Sequence, residues 1–342
     1  MDMRQLTCTG PRELEWRDVA APQVQGDDEA LLRPLAVARC EIDPFLIAVA
    51  QPRGVPFALG HECVAEVVAL GDHVRGFEIG ERVVPSFQLS CGRCGSCGAG
   101  HSANCDSYPV LSDYGMQPLS GVEYGGMVSD LVHVPHAEAM LQRVPDGFDP
   151  VALASLSDNV LDGYRTVAPH LLRYPGADVL FVCHGTPSLA LYGVQTALAL
   201  GAGRVDFASD LPDVLSLAKT LGAHPVETDF GRRQGRYPIV VDCGTRREGL
   251  HYALGSTAPE GICQSVSFFP GPEIPIALGK LYTLGIQFFI GRTHAASLLP
   301  EVMGLIEAGR LRPGEVTTRV ESWDRAPEAY LENTIKLVLT RD

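Results

Sequence analysis

Apolar residues between 162 and 290 fall into two kinds of block, short uninterrupted runs and longer alanine- and leucine-rich stretches. Asp162 to Leu172 suits a helix, which Pro175-Gly176-Ala177 breaks. Val179-Leu-Phe-Val-Cys183 follows as a continuous apolar run of strand length. Leu189 to Leu200 reads as an apolar helix ending at Gly201-Ala202-Gly203, and Arg204 to Ser209 as the next strand. The alternation continues with a helix over Pro212 to Leu221, closed by Gly222, and a strand over Tyr237 to Asp242. Further strands are expected around Gly261 to Phe269 and Ile286 to Ile290. Strands alternating with helices predict an α/β fold with a doubly wound parallel sheet. Strands that are apolar on both faces agree, because helices cover such a sheet on both sides.

The first third of the chain patterns differently. Ala30 to Ala38, Cys63 to Leu70 and Arg82 to Phe87 are short, mostly apolar runs, with Gly71-Asp72 and Gly80-Glu81 as turns. This stretch reads as a β-rich, irregular domain. After about 291 the pattern is mixed again, with a helix expected over Leu298 to Gly309. A chain of 342 residues has room for two domains and ample core.

Composition narrows the class of function. The 46% hydrophobic and 20% charged fractions are ordinary for a globular protein, and no apolar stretch approaches a membrane span. Met-Asp-Met-Arg-Gln at the N-terminus lacks a basic flank and apolar run, so a cytoplasmic location is expected. A net charge of −14 opposes nucleic-acid binding and leaves small molecules as the expected partners.

Cys91-x2-Cys94-x2-Cys97-x7-Cys105 is the most informative local motif. Four soft thiolates at this spacing suit one tetrahedral zinc, and the intervening glycines let the backbone fold back. Two disulfides and an iron–sulfur cluster are the alternatives. A reducing compartment opposes the first, and the gap of seven residues before the fourth cysteine opposes the second. A closed site of four thiolates is structural and leaves no position for chemistry.

Gly60-His61-Glu62 follows Pro56-Phe-Ala-Leu and stands downstream of Cys40. Together with Cys40-x2-Asp43, Leu59-Gly-His-Glu62, Val74-x-Gly-Phe-x2-Gly-x-Arg-Val83, the four-cysteine lobe and the central βαβ block, it carries a resemblance. The chain resembles the zinc-dependent medium-chain dehydrogenase/reductase superfamily, the alcohol dehydrogenases, over nearly its whole length. The resemblance implies a GroES-like β-rich catalytic domain over 1–161, with the structural zinc lobe, and a Rossmann-type dinucleotide domain over 162–290. Residues 291–342 would return to complete the catalytic domain, and the assembly would be a homodimer or homotetramer.

Matched to the family, Cys40, His61 and Asp158 are the ligands of a catalytic zinc, with Glu62 a neighbouring or exchangeable ligand and Asp43 the carboxylate orienting His61. Thiolate, imidazole and carboxylate suit zinc, and three ligands leave one position for substrate. Lys336 matches a basic residue that pairs with cofactor phosphates.

The dinucleotide turn departs from the family. Cys183-His-Gly185-Thr-Pro-Ser188-Leu-Ala190 keeps one glycine, and Pro187 removes an N–H where backbone should approach phosphate. Gly185, Thr186, Ser188 and Leu189 are the candidate phosphate contacts. At the end of the second strand, Ser209 takes the place of the acid that reads the ribose diol, and Asp210 follows one residue late. No arginine follows to bind a 2′-phosphate, so the cofactor is NAD or NADP.

Ile42 and Phe45 stand where the family has a hydroxyl and a histidine that relay the alcohol proton, so Asp162 or Glu41 is expected to supply the proton instead. Asp162 as a plain helix cap is the alternative. Ile42, Phe45 and Tyr164 suggest an uncharged substrate. The expected activity is hydride transfer between a nicotinamide and a small alcohol or carbonyl. A reductase of a conjugated alkene or imine, and a zinc protein of this fold without redox activity, are the alternatives.

Overall fold

The computed structural model describes residues 2–49, 56–117, 119, 122, 124–233, 235–266, 271 and 273–341. Its contacts divide into two units, one of Met1–Leu161, His294–Gly309 and Pro313–Asp342, the other of Asp162–Thr293 with Arg310–Arg312. The second unit therefore runs past the expected limit of 290 to Thr293 and takes in one short later segment. Among the described residues no helix is long and apolar enough to cross a membrane.

The first unit begins with a hairpin that the apolar pattern did not announce, β1 (Asp2–Gly10) and β2 (Glu13–Ala20). Charges at Glu13, Glu15, Arg17 and Asp18 mask the period of β2, whose residues lie mostly at the surface. Then come β3 (Ala30–Ala38), β4 (Phe57–Ala58), β5 (Glu62–Leu70), β6 (Arg82–Pro85), β7 (Val132–Val134) and β8 (Leu141–Arg143).

The second unit is a six-stranded parallel sheet built from β9 (Val179–His184), β10 (Val205–Ser209), β11 (His224–Glu227), β12 (Tyr237–Gly244), β13 (Thr257–Ser265) and β14 (Gln287–Ile290). Its order is β11-β10-β9-β12-β13-β14, so direction of growth reverses between β9 and β12. That is the strand order of a Rossmann fold, with its switch point at the end of β9. All six residues of β9 are buried, as a strand covered on both faces requires. Of the strand expected to reach Phe269, residues 267–269 lie outside the described residues.

The chain then returns to the first unit through the helix Ala295–Glu307, β15 (Arg319–Ser322) and β16 (Leu337–Thr340). A seven-stranded sheet runs β15-β16-β3-β5-β6-β8, with β7 also on β3. The register of this sheet builds the site. Antiparallel pairing sets Ala38 opposite Glu62, which brings Cys40, just past the end of β3, beside His61, just before β5. On the other side β16 sets Val338 opposite Ala38, which carries Lys336 to the same place.

Candidate active site

The four-cysteine lobe closes on itself. The ligand sulfurs of Cys91, Cys94, Cys97 and Cys105 lie within 4.8 Å of one another. Backbone amides point at the sulfurs: Cys91 N–H donates to Cys105 Sγ at 3.3 Å, and Cys97 and Asp106 N–H donate to Cys94 Sγ at 3.4 Å. Such donors stabilise thiolates, and the set fits a zinc with no open position.

A second cluster joins Cys40, His61 and Asp158, whose donor atoms also lie within 4.8 Å of one another, all buried. Gly60 makes the approach to His61 feasible. Its φ is +91°, and a Cβ there would stand 2.6 Å from Val128 Cγ2. His61 Nδ1 faces Asp43 Oδ1 and His61 Nε2 faces Asp158 Oδ2, each at 3.5 Å, longer than a normal N–H···O bond. Neither ring nitrogen of this fully buried imidazole has a hydrogen-bond partner among the described residues. Buried polar atoms are rarely left so, and a metal on the ring resolves it.

Electrostatics point the same way. Burial alone would hold the His61 imidazolium down, yet Asp43, Asp158 and Glu62 outweigh it and push the ring up to about 9. Burial, then Asp158, Glu62 and Glu41, push the Cys40 thiol well above its ordinary range. The pocket is short of positive charge. A divalent cation supplies it, and the S, N and O donor set is one that zinc accepts.

Glu62 is not one of the trio's donors and stands beside it. Its Oε2 takes the Lys336 ammonium at 2.5 Å and its Oε1 accepts the Asn159 N–H at 2.8 Å. Burial raises the Glu62 carboxyl to about 7 against the pull of Lys336. Lys336, expected at the cofactor phosphates, is fully buried, and its ammonium pairs with Glu62. Asp43, besides facing His61, accepts the Cys40 N–H at 3.1 Å and so ties two of the donors together.

Two residues of this site went unread in the sequence. Asn159 joins two acids and a thiol: its N–H serves Glu62, its Oδ1 lies 3.2 Å from Cys40 Sγ, and its Nδ2 donates to Glu41 at 2.5 Å. Its position next to Asp158 was the available signal. Arg39, adjacent to Cys40, donates to the carbonyls of Tyr330, Glu332 and Thr334 and fixes the segment that delivers Lys336.

Asp162 lies on a helix and already has a partner. The helix starts earlier than expected, at Asn159, and Asp162 in its first turn is ion-paired to Arg165. It is not the capping residue.

In the second unit, β9 ends at His184 and the next helix, Pro187–Ala199, starts two residues earlier than the apolar run suggested. Pro187 is thus at the first helical position, where its missing N–H breaks no helical bond. Ser188 and Leu189, next in line, have amides of the kind that bind phosphate at a helix N-terminus. Thr186 Oγ1 is buried without a hydrogen-bond partner among the described residues. Gly185 has its own constraint: a Cβ would meet Gly244 Cα at 3.1 Å, where the two residues bridge β9 and β12. These features fit a dinucleotide pyrophosphate.

At the end of β10, Ser209 is fully buried and its Oγ accepts the Leu211 N–H at 3.2 Å, so it is used by the turn. Asp210 is held by Arg246, with Nη1 to Oδ2 at 2.7 Å and Nη2 to Oδ1 at 2.8 Å. The arginine that sequence order did not supply after Ser209 arrives from the loop after β12.

Residues 26–146 match the family model described as the alcohol dehydrogenase GroES-like domain. Zinc-type alcohol dehydrogenase B of Aspergillus flavus is 24% identical over 350 residues, spanning 98% of this chain and 80% of its own. A probable NADP-dependent isopropanol dehydrogenase of Mycoplasma pneumoniae is 30% identical over 316 residues, 87% of this chain and 82% of its own. Among solved structures, the alcohol dehydrogenase TADH from Thermus sp. ATN1 matches with a TM-score of 0.90 at 24% identity, covering 99% of this chain and 100% of the other.

Proposed function

The chain belongs to the zinc-type alcohol dehydrogenase family of medium-chain dehydrogenase/reductases, and on that premise we propose that it moves a hydride between a nicotinamide cofactor, NAD or NADP, and a small uncharged alcohol or carbonyl compound. The observation that carries this reading is the buried donor trio of Cys40, His61 and Asp158 in one unit. Zinc held there would act as a Lewis acid, steadying an alkoxide or polarising a carbonyl oxygen. The dinucleotide would carry the hydride.

The chain's own residues prepare both. Asp43 faces His61 and holds the Cys40 backbone N–H from behind. The Glu62–Lys336 pair keeps a balanced charge beside the trio, and Asn159 spaces Glu62 and Glu41 around Cys40. Thr186, Ser188 and Leu189 would cradle the pyrophosphate at the helix N-terminus. Half-buried Ile42 and Phe45 beside Cys40 favour an uncharged substrate and offer no hydroxyl or imidazole to move a proton. Glu41, which accepts the Asn159 Nδ2 beside Cys40, is the carboxylate this reading assigns to the proton.

Self-association as a homodimer or homotetramer is part of the same reading. β14 is the last strand of its sheet and exposes Phe289 and Ile290. An apolar edge strand of that kind invites pairing with a second copy.

A cofactor-linked assay on small primary and secondary alcohols and their carbonyl counterparts tests the function. Turnover with at least one pair is expected, and a folded, zinc-loaded protein inert to the whole panel with both cofactors would refute it.

A further inference from the structure

We propose that His184 is a positioning residue for the dinucleotide: as a neutral imidazole it pins the loop after β12 to the turn after β9, and so fixes the crevice between those two strand ends. The proposal rests on the reading that the second unit binds a dinucleotide.

His184 closes β9, and its side chain is fully buried. Two glycines make room for the ring. A Cβ on Gly244, its register partner in β12, would stand 2.4 Å from His184 Nδ1, and a Cβ on Gly249 would stand 2.2 Å from His184 Cδ2. Gly249 lies inside the helix Arg247–Ser256, where a glycine is weaker than alanine. The rings of His184 and Phe230 meet edge to face, with centroids 5.6 Å apart.

Both ring nitrogens are engaged. The backbone N–H of Arg246 donates to Nδ1 at 3.0 Å, so Nδ1 carries no proton. The proton is then on Nε2, which donates to Asp242 Oδ1 at 2.7 Å. The other oxygen of Asp242 accepts from Ser265 Oγ at 2.6 Å, and this carboxylate is fully buried as well. A line of hydrogen bonds therefore runs from β13 through β12 and β9 to the loop after β12.

The place of this network gives its use. Buried polar networks are costly unless every member is satisfied, and this one sits at strand ends rather than in mid-sheet. β9 and β12 are the neighbours at which the strand order reverses, and a Rossmann fold takes its dinucleotide in the crevice outside that point. One wall of the crevice is the turn at Gly185 and Thr186, and the other is the loop from Gly244 to Arg246. The walls are already close: Gly185 bridges Gly244, and a Cβ on Gly185 would stand 3.1 Å from the Thr245 nitrogen. Arg246 is tied to β9 a second time, its Nε donating to the His184 carbonyl at 3.2 Å. An Arg246 amide released from Nδ1 has to turn toward another acceptor, which moves Thr245 against Gly185 and changes the crevice.

Two variants separate the two bonds of the ring. Asparagine offers an oxygen where Nδ1 stands but does not reach Asp242. Glutamine offers an N–H where Nε2 stands but leaves the Arg246 amide without an acceptor. The zinc-loaded proteins are titrated with NADH and with NADPH by nicotinamide fluorescence, beside thermal melts. Both variants should melt lower than the wild type, since each leaves one buried polar group short of a partner. His184→Asn is expected to bind the tighter of the two cofactors within about threefold of the wild type, and His184→Gln about tenfold more weakly. Nitrogen-15 NMR of the wild-type ring at neutral pH, which needs no variant to fold, should show a neutral imidazole with its proton on Nε2. Cofactor affinity unmoved in His184→Gln, equal losses in both variants, or a ring proton on Nδ1 overturns the proposal while leaving the dinucleotide reading intact. Folded wild type that binds neither cofactor at millimolar concentration overturns the dinucleotide reading itself, and this proposal with it.

Discussion

The ammonium of Lys336 lies 2.5 Å from Glu62 Oε2, and both side chains are fully buried although 274 residues separate them. The contact exists because β16 and β5 flank β3 on opposite sides. Breaking such a pair from one side leaves a charge without water or partner, which costs about 3–5 kcal/mol.

Lys336→Met is therefore expected to lower stability by that amount, about 3–5 kcal/mol, and Lys336→Met with Glu62→Gln to recover much of it. Denaturant midpoints of the two variants check this. A double variant no more stable than the single would show that the pair is not what the lysine supports.

Metal content should separate the two clusters. Cys97→Ser is expected to remove the lobe zinc and lower thermal stability. His61→Ala is expected to remove the other zinc while the lobe keeps its own and the fold stands. Elemental analysis beside a thermal melt reads both, and loss of both ions in either variant contradicts two independent sites.

Asp162→Asn should leave the shape of the pH profile of turnover unchanged, because Arg165 already occupies that carboxylate. A displaced limb in the variant would return Asp162 to the proton path.

Glu29 gives a pH signature in stability. Burial would raise its carboxyl, but the backbone amides of Gln25 and Gly26, with His133, outweigh it and hold the group at about 2. A carboxyl lower in the folded than in the unfolded chain, where it is about 4.3, stabilises above the unfolded value. That contribution fades as pH falls from about 4.3 toward 2. The stability gap between the wild type and Glu29→Gln should accordingly be constant near neutrality and shrink over that acid range. A gap that widens on acidification would contradict the assignment.

What the chain discloses in sequence follows the range of the forces involved. The parallel sheet could be read because each strand is a short apolar run bounded by local breakers. The four-cysteine lobe and the trio could be proposed because their residue types and spacings are distinctive. The N-terminal hairpin was missed because charges on β2 obscure its alternation. The pairing of Lys336 with Glu62 could not be read because it is fixed only by a register across three strands. Arg246 was missed for the same reason: it reaches Asp210 from another loop, 36 residues on. Pro187 looked disabling in a linear motif, yet it stands at the first position of a helix, where its missing N–H breaks no helical bond.

Deuterium transfer tests the central claim most directly. The zinc-loaded protein is incubated with NADH or NADPH labelled on one face of the nicotinamide C4, together with small aldehydes and ketones, and the products are analysed by mass spectrometry. The account predicts one deuterium on the former carbonyl carbon from one face only, abolished in His61→Ala while that variant still binds the cofactor. Reduced cofactor bound tightly by the wild type with no label reaching any carbonyl carbon would contradict it.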